Sequence, residues 1–185
     1  NKKWGKVNIA TSARQPGSSF KPIYYSAALA DGTITPATIL HDTPTDFGGY
    51  RPQNADRQFR GNISVRNALS QSLNIPSVEV LQKYGVAKGI EAAEKLGITT
   101  IDSGREYGLS LALGAAEVPL IEMTNAYATL AAAVGCLMLI ACANVANLLV
   151  SDPAIFSFAT PRHAARFELV GEQPKRPVVS SEAMG

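Results

Sequence analysis

Ser18 stands three residues before Lys21 in the run Pro16-Gly17-Ser18-Ser19-Phe20-Lys21-Pro22. That spacing can support nucleophilic chemistry. Residues three apart on a helix share a face, so the Ser18 hydroxyl and the Lys21 amine can meet. An amine that has lost its proton can take one from a hydroxyl. Ser19 is only two residues from Lys21 and points elsewhere, which leaves Ser18 as the candidate nucleophile and Lys21 as its base. Pro22 suits the opening turn of a helix, where the first four N–H groups have no internal partner and a missing donor costs little. Gly17 permits a sharp entry and a close approach of a ligand to the backbone. Taken alone, a Ser-x-x-Lys pair also occurs as two solvated side chains. A second polar cluster downstream, Ser72-Leu73-Asn74, adds weight to the chemical reading.

The elements that must position these groups follow from caps and breakers. A helix runs from about Ser18 to Leu29 or Ala30 and stops at Asp31-Gly32, with Tyr24, Tyr25, Ala27 and Ala28 suited to a packed interior. Residues 33–62 carry Pro36, Pro44, Gly48-Gly49 and Pro52 and are mostly loop, with short β segments near Ile39-Leu40 and Phe47. A loop of that length is unusual unless functional, and it suits a groove wall. Ser64 can cap a helix over Val65–Ser70. A turn at Gln71–Asn74 follows, and Pro76 at a first helical position opens a helix to Tyr84, ended by Gly85. The next helix covers about Ala87–Leu96 and ends at Gly97. Glu79 with Lys83, and Glu91 with Lys95, are favourable pairs four apart. Ile98–Gly108 is loop, Pro119 starts a further helix through Ala128 and beyond, and residues 1–17 are an extended or loop entry. Without the chemistry, this is an α-rich globular domain in which Ser72 and Asn74 stabilise an inter-helix turn.

A Ser-x-x-Lys followed by a Ser-x-Asn is the order found in β-lactamases and penicillin-binding proteins, where a Lys-Thr-Gly completes the set. From about Asn8 to about Ala132 the chain resembles the transpeptidase domain of class A penicillin-binding proteins. The stretches that carry the resemblance are Arg14–Pro22, Tyr50-Arg51-Pro52-Gln53-Asn54, Gly61–Leu69, Ser72–Val78, Leu111-Ala112-Leu113-Gly114-Ala115, Glu117-Val118 and Asn125-Ala126-Tyr127-Ala128. The resemblance implies that Ser18 is the acyl-accepting nucleophile and Lys21 its general base. It implies that Ser72 relays a proton between that base and the leaving or attacking amine, and that Asn74 hydrogen-bonds the amide of a bound peptide or β-lactam. It implies no cofactor. The partners it implies are peptidoglycan stem peptides and β-lactam antibiotics, at the periplasmic or extracellular face of a bacterial cell envelope.

The fold implied is α/β, the β-lactamase/transpeptidase-like serine acyltransferase fold, incomplete and mostly α in this chain. No Lys-Thr-Gly or Lys-Ser-Gly occurs in the sequence; Lys3-Trp4-Gly5, Lys83-Tyr84-Gly85 and Lys95-Leu96-Gly97 have no Ser or Thr between the Lys and the Gly. In the family that strand binds the substrate carboxylate and supplies one oxyanion donor. Losing one such donor typically costs ~10²–10³ in rate.

Composition sets outer bounds. The 185 residues carry a net charge of +2 with 17% charged residues, enough chain for one ordinary domain with a sizeable core. No basic stripe with interleaved aromatics argues for nucleic acid. Cys136 and Cys142 share one apolar segment. Six residues of helix separate them by about 9 Å along the axis, too far to bridge. His41 and His163 are isolated and have no metal-ligand spacing. The start, Asn1-Lys2-Lys3-Trp4-Gly5-Lys6, is charged but has no apolar run behind it. The expectation is an internal piece, without the anchor and glycosyltransferase domain that precede a transpeptidase in the family.

After Ala132 the pattern changes. No charge occurs between Glu122 and Asp152, and the apolar run is long enough to match the ~30 Å hydrocarbon core of a bilayer. Asn144 and Asn147 would need partners in lipid. The plain alternative is a buried helix of a soluble domain. Gly135–Val150 resembles a membrane helix of the permease subunits of MacB-like ABC exporters. Residues 151–185 form a polar, mostly irregular tail whose Arg162, Arg166, Lys175 and Arg176 favour a cytoplasmic side; a single span reconciles that with an externally facing transpeptidase half. Three parts are therefore expected: a partial transpeptidase domain at 1–132, an apolar helix at 133–150 that forms a candidate transmembrane segment, and the tail at 151–185. The activity expected is D,D-transpeptidation of D-Ala-D-Ala stem peptides through a Ser acyl-enzyme. The alternatives are a catalytically dead binding module and a fusion product joined to a permease-like membrane helix.

Overall fold

The computed structural model describes residues 7–101 and 106–151. Chain contacts divide the protein into two units, Asn1–Gly135 and Cys136–Gly185. The expectations for His163 and for the tail beyond 151 lie outside the described residues.

The first unit is built on helices. A 3-10 turn at Gly17–Phe20 runs directly into α1, Lys21–Ala30. Phe20, Lys21, Tyr24, Tyr25 and Ala28 are all buried. Their spacing is that of a single apolar stripe on a 3.6-residue period. Three aromatic rings stack along it, with Phe20 and Tyr24 centroids 6.1 Å apart and Tyr24 and Tyr25 5.2 Å apart. Helical periodicity therefore carries the Lys21 side chain onto the core face together with the tyrosines, while Ser18, a turn earlier, stays exposed.

Strand β1, Ala13–Arg14, pairs antiparallel with β4, Val118–Pro119. Strand β2, Ile39–Asp42, pairs antiparallel with β3, Gly61–Ser64. The segment around Phe47 is not a strand; the backbone N–H of Phe47 instead donates to Tyr50 O in a local turn. Ser64 caps α2, Val65–Ser70, by accepting the Asn67 N–H. Helix α3 covers Asn74–Tyr84 and α4 covers Val86–Lys95. Helix α1 packs on both, and α3 also packs on β2 and on a 3-10 helix at Leu109–Leu113. Helix α3 begins two residues earlier than Pro76 suggests. Its N-cap, Leu73, has no capping side chain. The Asn74 N–H is instead accepted by Asn54 Oδ1 at 2.8 Å, from a residue far off in sequence. The two helix-surface pairs form at 2.7 Å each, Glu79 with Lys83 and Glu91 with Lys95.

Helix α5, Leu120–Ser151, follows Pro119 directly. Met123 and Ala126 pack into the first unit's core. The span Leu120–Leu148 has mean hydropathy 2.1 in its most apolar stretch and is long and apolar enough to cross a membrane. Residues 131–148 are exposed along every face, unlike a core helix. Cys136 and Cys142 are unbridged and exposed.

Candidate active site

Two local structures meet at the site. The first is the helix start that presents Ser18. The backbone turns through Gly17 at φ +59° into the 3-10 turn. Ser19 Oγ donates back to Pro16 O at 2.7 Å, which takes it out of contention for Lys21. Tyr127 on α5 donates its hydroxyl to Ser19 O at 2.8 Å and braces the same turn. Ser18 is exposed, and its backbone N–H lies among the first-turn donors that have no intrahelical acceptor.

Gly114 presses on this turn from the other side. It caps the Leu109–Leu113 segment at φ +71°. A Cβ built there would stand 2.6 Å from Gly17 N and 2.8 Å from Gly17 C, and would collide with Gly17 O. Only glycine allows both the left-handed backbone and the approach. The Tyr24 hydroxyl, buried beneath, ties the two sides together: Ser77 O lies 3.1 Å away and Ala112 O 3.2 Å. Burial pushes that phenol well above its ordinary range, proximity to Tyr25 pushes the same way, and the Ser77 side-chain hydroxyl opposes both.

The second local structure presents Ser72 and Asn74. Helix α2 ends in a pair of hydrogen bonds, Ser72 N–H to Leu69 O and Leu73 N–H to Ala68 O, both 3.0 Å. These are the bonds that close a helix on a left-handed residue, a position glycine usually fills. Here it is filled by Ser72 at φ +53°. A side chain in that conformation costs about 1–2 kcal/mol. The strain persists because Leu73 is buried behind it and α3 starts immediately after.

Lys21 joins the two. Its ammonium donates to Ser72 O at 2.7 Å, Asn74 Oδ1 at 2.8 Å, Ser72 Oγ at 3.2 Å and Leu73 O at 3.3 Å. The side chain is 1% exposed, and burial lowers its pKa from 10.5 to about 8. The structure thus brings Lys21, Ser72 and Asn74 into direct contact. Ser18 lies one helical turn away on the same face, and all of the Lys21 bonds go to the Ser72–Asn74 segment. Hydrogen bonds of a catalytic group are often incomplete before substrate arrives. Asn74 is held at both ends of its amide, since Nδ2 donates to Gln53 O at 2.7 Å. One Nδ2 hydrogen remains for a ligand carbonyl.

The arrangement can do one kind of chemistry well. A buried amine with a lowered pKa is bonded to one exposed hydroxyl and a fixed amide, three residues along the chain from a second exposed hydroxyl. Hydroxyl activation and acyl transfer need that set. Among the described residues no group of His, Cys, Asp and Glu could hold a metal ion. A groove of about 470 Å³ lies elsewhere on α1, against Tyr84, Lys88 and Leu96, and contains none of these groups.

The family model for the penicillin binding protein transpeptidase domain matches residues 6–138. This chain belongs to the penicillin-binding protein transpeptidase family. It is 41% identical over 130 residues to penicillin-binding protein 1C of Escherichia coli K12, covering 70% of this chain and 17% of that protein. Among solved structures it resembles penicillin-binding protein 1A from Haemophilus influenzae, at 34% identity and TM-score 0.59, over 67% of this chain and 19% of that one. It also resembles PonA1 from Mycobacterium tuberculosis in complex with penicillin V, at 27% identity and TM-score 0.63, over 69% and 37%. The fold is therefore that of the penicillin-binding transpeptidases, present in part and mostly helical. The chain spans about a sixth of the length of the curated relatives it matches.

Sequence reasoning did not foresee a role for Gly114, Asn54 or Asp42. Gly114 and Asn54 lie in stretches that resemble the family, but their contacts are long-range and leave no local pattern. A signal does exist for Asn54 and Asp42. Each is a polar residue among prolines and glycines, in a loop too long to be idle.

Proposed function

We propose that this chain carries the nucleophile half of a D,D-transpeptidase active site. Ser18 attacks the carbonyl of a D-alanyl-D-alanine stem peptide, and Lys21 takes its proton. The C–N bond breaks, Ser72 passes a proton to the leaving amine, and D-alanine departs. An amine of a neighbouring stem peptide then attacks the Ser18 ester, returns its proton through the same pair and restores the hydroxyl. Asn74 orients the donor peptide by its free amide hydrogen. Penicillin acylates the same oxygen. The observation that carries this reading is the buried Lys21 ammonium bonded to Ser72 and Asn74 beside an exposed Ser18. Fluorescent penicillin tests it. Covalent labelling of the full chain that disappears in Ser18→Ala supports the proposal, and a folded chain that takes no label refutes acyl transfer and leaves the binding-module reading.

The site would face the outside of a bacterial membrane. The exposed apolar length of α5 supports a membrane span continuing from the domain, in the manner of the permease-like helix it resembles at 135–150. Flotation of the full chain with phosphatidylglycerol–phosphatidylethanolamine vesicles, resistant to carbonate at high pH, is the expected result. Release by carbonate counts against a span.

A further inference from the structure

Three polar side chains behind the site form one continuous path to Lys21. Asp42, at the end of β2, is fully buried. Its Oδ2 accepts the Arg60 N–H at 2.9 Å and its Oδ1 accepts Asn54 Nδ2 at 2.7 Å. Asn54 is 3% exposed and uses every part of its amide. Nδ2 also donates to Gln58 O at 2.8 Å, while Oδ1 accepts the Asn74 N–H at 2.8 Å. Asn74 Oδ1 then accepts from Lys21 at 2.8 Å. The backbone next to Asn54 takes part as well, since Gln53 O accepts Asn74 Nδ2.

This chain has a direction. A carboxylate only accepts, so Asp42 forces Asn54 to present its Nδ2 hydrogens inward and its oxygen outward. That oxygen then accepts the first backbone N–H of α3, whose N-cap residue supplies no capping side chain. Asn74 is pinned by its main chain and by its side chain from adjacent residues of one loop. Its Oδ1 therefore points at Lys21 and its spare amide hydrogen outward.

We infer that Asp42 and Asn54 are positioning residues of this site. The buried Asp42–Asn54 pair sets the start of α3 and the orientation of the Asn74 amide, and through Asn74 the place of the Lys21 amine. Neither residue touches substrate. The inference rests on the proposed transpeptidase site for its purpose but not for its geometry. It also explains why a loop rich in proline and glycine crosses behind the site. The loop delivers a buried acceptor to a helix start that lacks one.

The test exploits the direction of the pair. Asn54→Asp places two carboxylates face to face, and Asp42→Asn sets a new amide donor against Asn54 Nδ2 or against the Arg60 N–H, both of which donate. The double exchange Asp42→Asn/Asn54→Asp restores one donor against one acceptor, keeps an oxygen for the Asn74 N–H and keeps one for the Arg60 N–H, and gives up the donor to Gln58 O. Two readouts are taken on the full chain. Hydrogen exchange of the Asn74 amide and the titration of Lys21, followed by ¹³C NMR of labelled lysine, need no activity. The rate of acylation by penicillin reads the site itself. In each single variant the Asn74 amide should lose at least tenfold in protection, the Lys21 midpoint should rise from about 8 toward 10.5 as water enters, and acylation should slow at least tenfold. The exchange should recover at least threefold of each loss and fall short of wild type, because Gln58 O has lost its donor. Folded single variants with unchanged Asn74 protection and Lys21 titration overturn the inference, as does an exchange variant no better than the singles. If the wild-type chain is not acylated, the transpeptidase proposal fails, while the NMR readouts still decide the positioning claim.

Discussion

Gly114→Ala attacks the contact that seats the nucleophile turn. Two costs can be separated on this structure. Alanine at φ +71° pays for left-handed backbone, about 1–2 kcal/mol. Its Cβ also meets Gly17 backbone atoms at 2.6 and 2.8 Å. Backbone cannot swing aside as a side-chain tip can, and overpacking of this kind costs roughly 1–3 kcal/mol. The total expected is about 2–5 kcal/mol. Gly32→Ala is the matched control. Gly32 has φ +78° and nothing within 4 Å of its Cβ, so it carries only the first cost. Urea unfolding of the two variants beside wild type gives the difference, which should be about 1–3 kcal/mol. The clash also pushes Gly17, and Ser18 with it. Gly114→Ala should therefore slow penicillin acylation in the fraction that remains folded, whereas Gly32→Ala should leave it unchanged. Equal destabilisation by the two variants would refute the claim that Gly114 is selected by its approach to Gly17.

Other expectations follow from individual groups. Lys21 has a folded pKa of about 8 against 10.5 unfolded, so the unfolded chain binds more protons between those values. Stability should rise with pH across that window by up to about 1.4 kcal/mol per pH unit, relative to Lys21→Met. Urea unfolding from pH 7 to 9.5 checks this while the buried Tyr25 phenol, pushed by burial up to about 12, stays neutral. A flat difference between the two proteins would mean that Lys21 is not desolvated. The acylation rate should climb about tenfold per pH unit below 8 and level off above it. Ser72→Gly should exceed Ser72→Ala in stability by about 1 kcal/mol, because only the first relieves the left-handed strain, and both should lose turnover. Thermal unfolding ranks the pair, and equal midpoints would remove the strain argument. Tyr127→Phe should leave the fold intact and slow acylation severalfold by freeing Ser19 O.

Much of this architecture was legible in the chain before any coordinates. Breakers and caps placed α2, α4 and the end of α1 to within a residue or so, because Asp31-Gly32, Ser64, Gly85 and Gly97 act locally; the helix expected from Ser18 opens as a 3-10 turn and becomes α1 only at Lys21. Tyr24, Tyr25 and Ala28 were legible as packed residues, while Ala27, expected with them, is half-buried and the burial of Lys21 needed the structure. Pairing was not legible. Strand β3, Gly61–Ser64, is too short and polar to announce itself, and β1 and β4 are two residues each. The start of α3 was misplaced at Pro76 because its cap comes from Asn54 through space. The candidate residues of the site came from their spacing and from resemblance. The way they are held, by Asn54, Gly114 and Tyr127, depends on contacts that no local window contains.

The central claim is that Ser18, served by a deprotonated Lys21, accepts an acyl group. Mass spectrometry of the full chain after exposure to penicillin, with peptide mapping of the Pro16–Pro22 segment, tests it most directly. The account predicts one penicilloyl adduct, carried by Ser18 and not by Ser19, absent in Ser18→Ala and strongly reduced in Lys21→Met. An adduct on Ser19, or one that forms equally without Lys21, would contradict it.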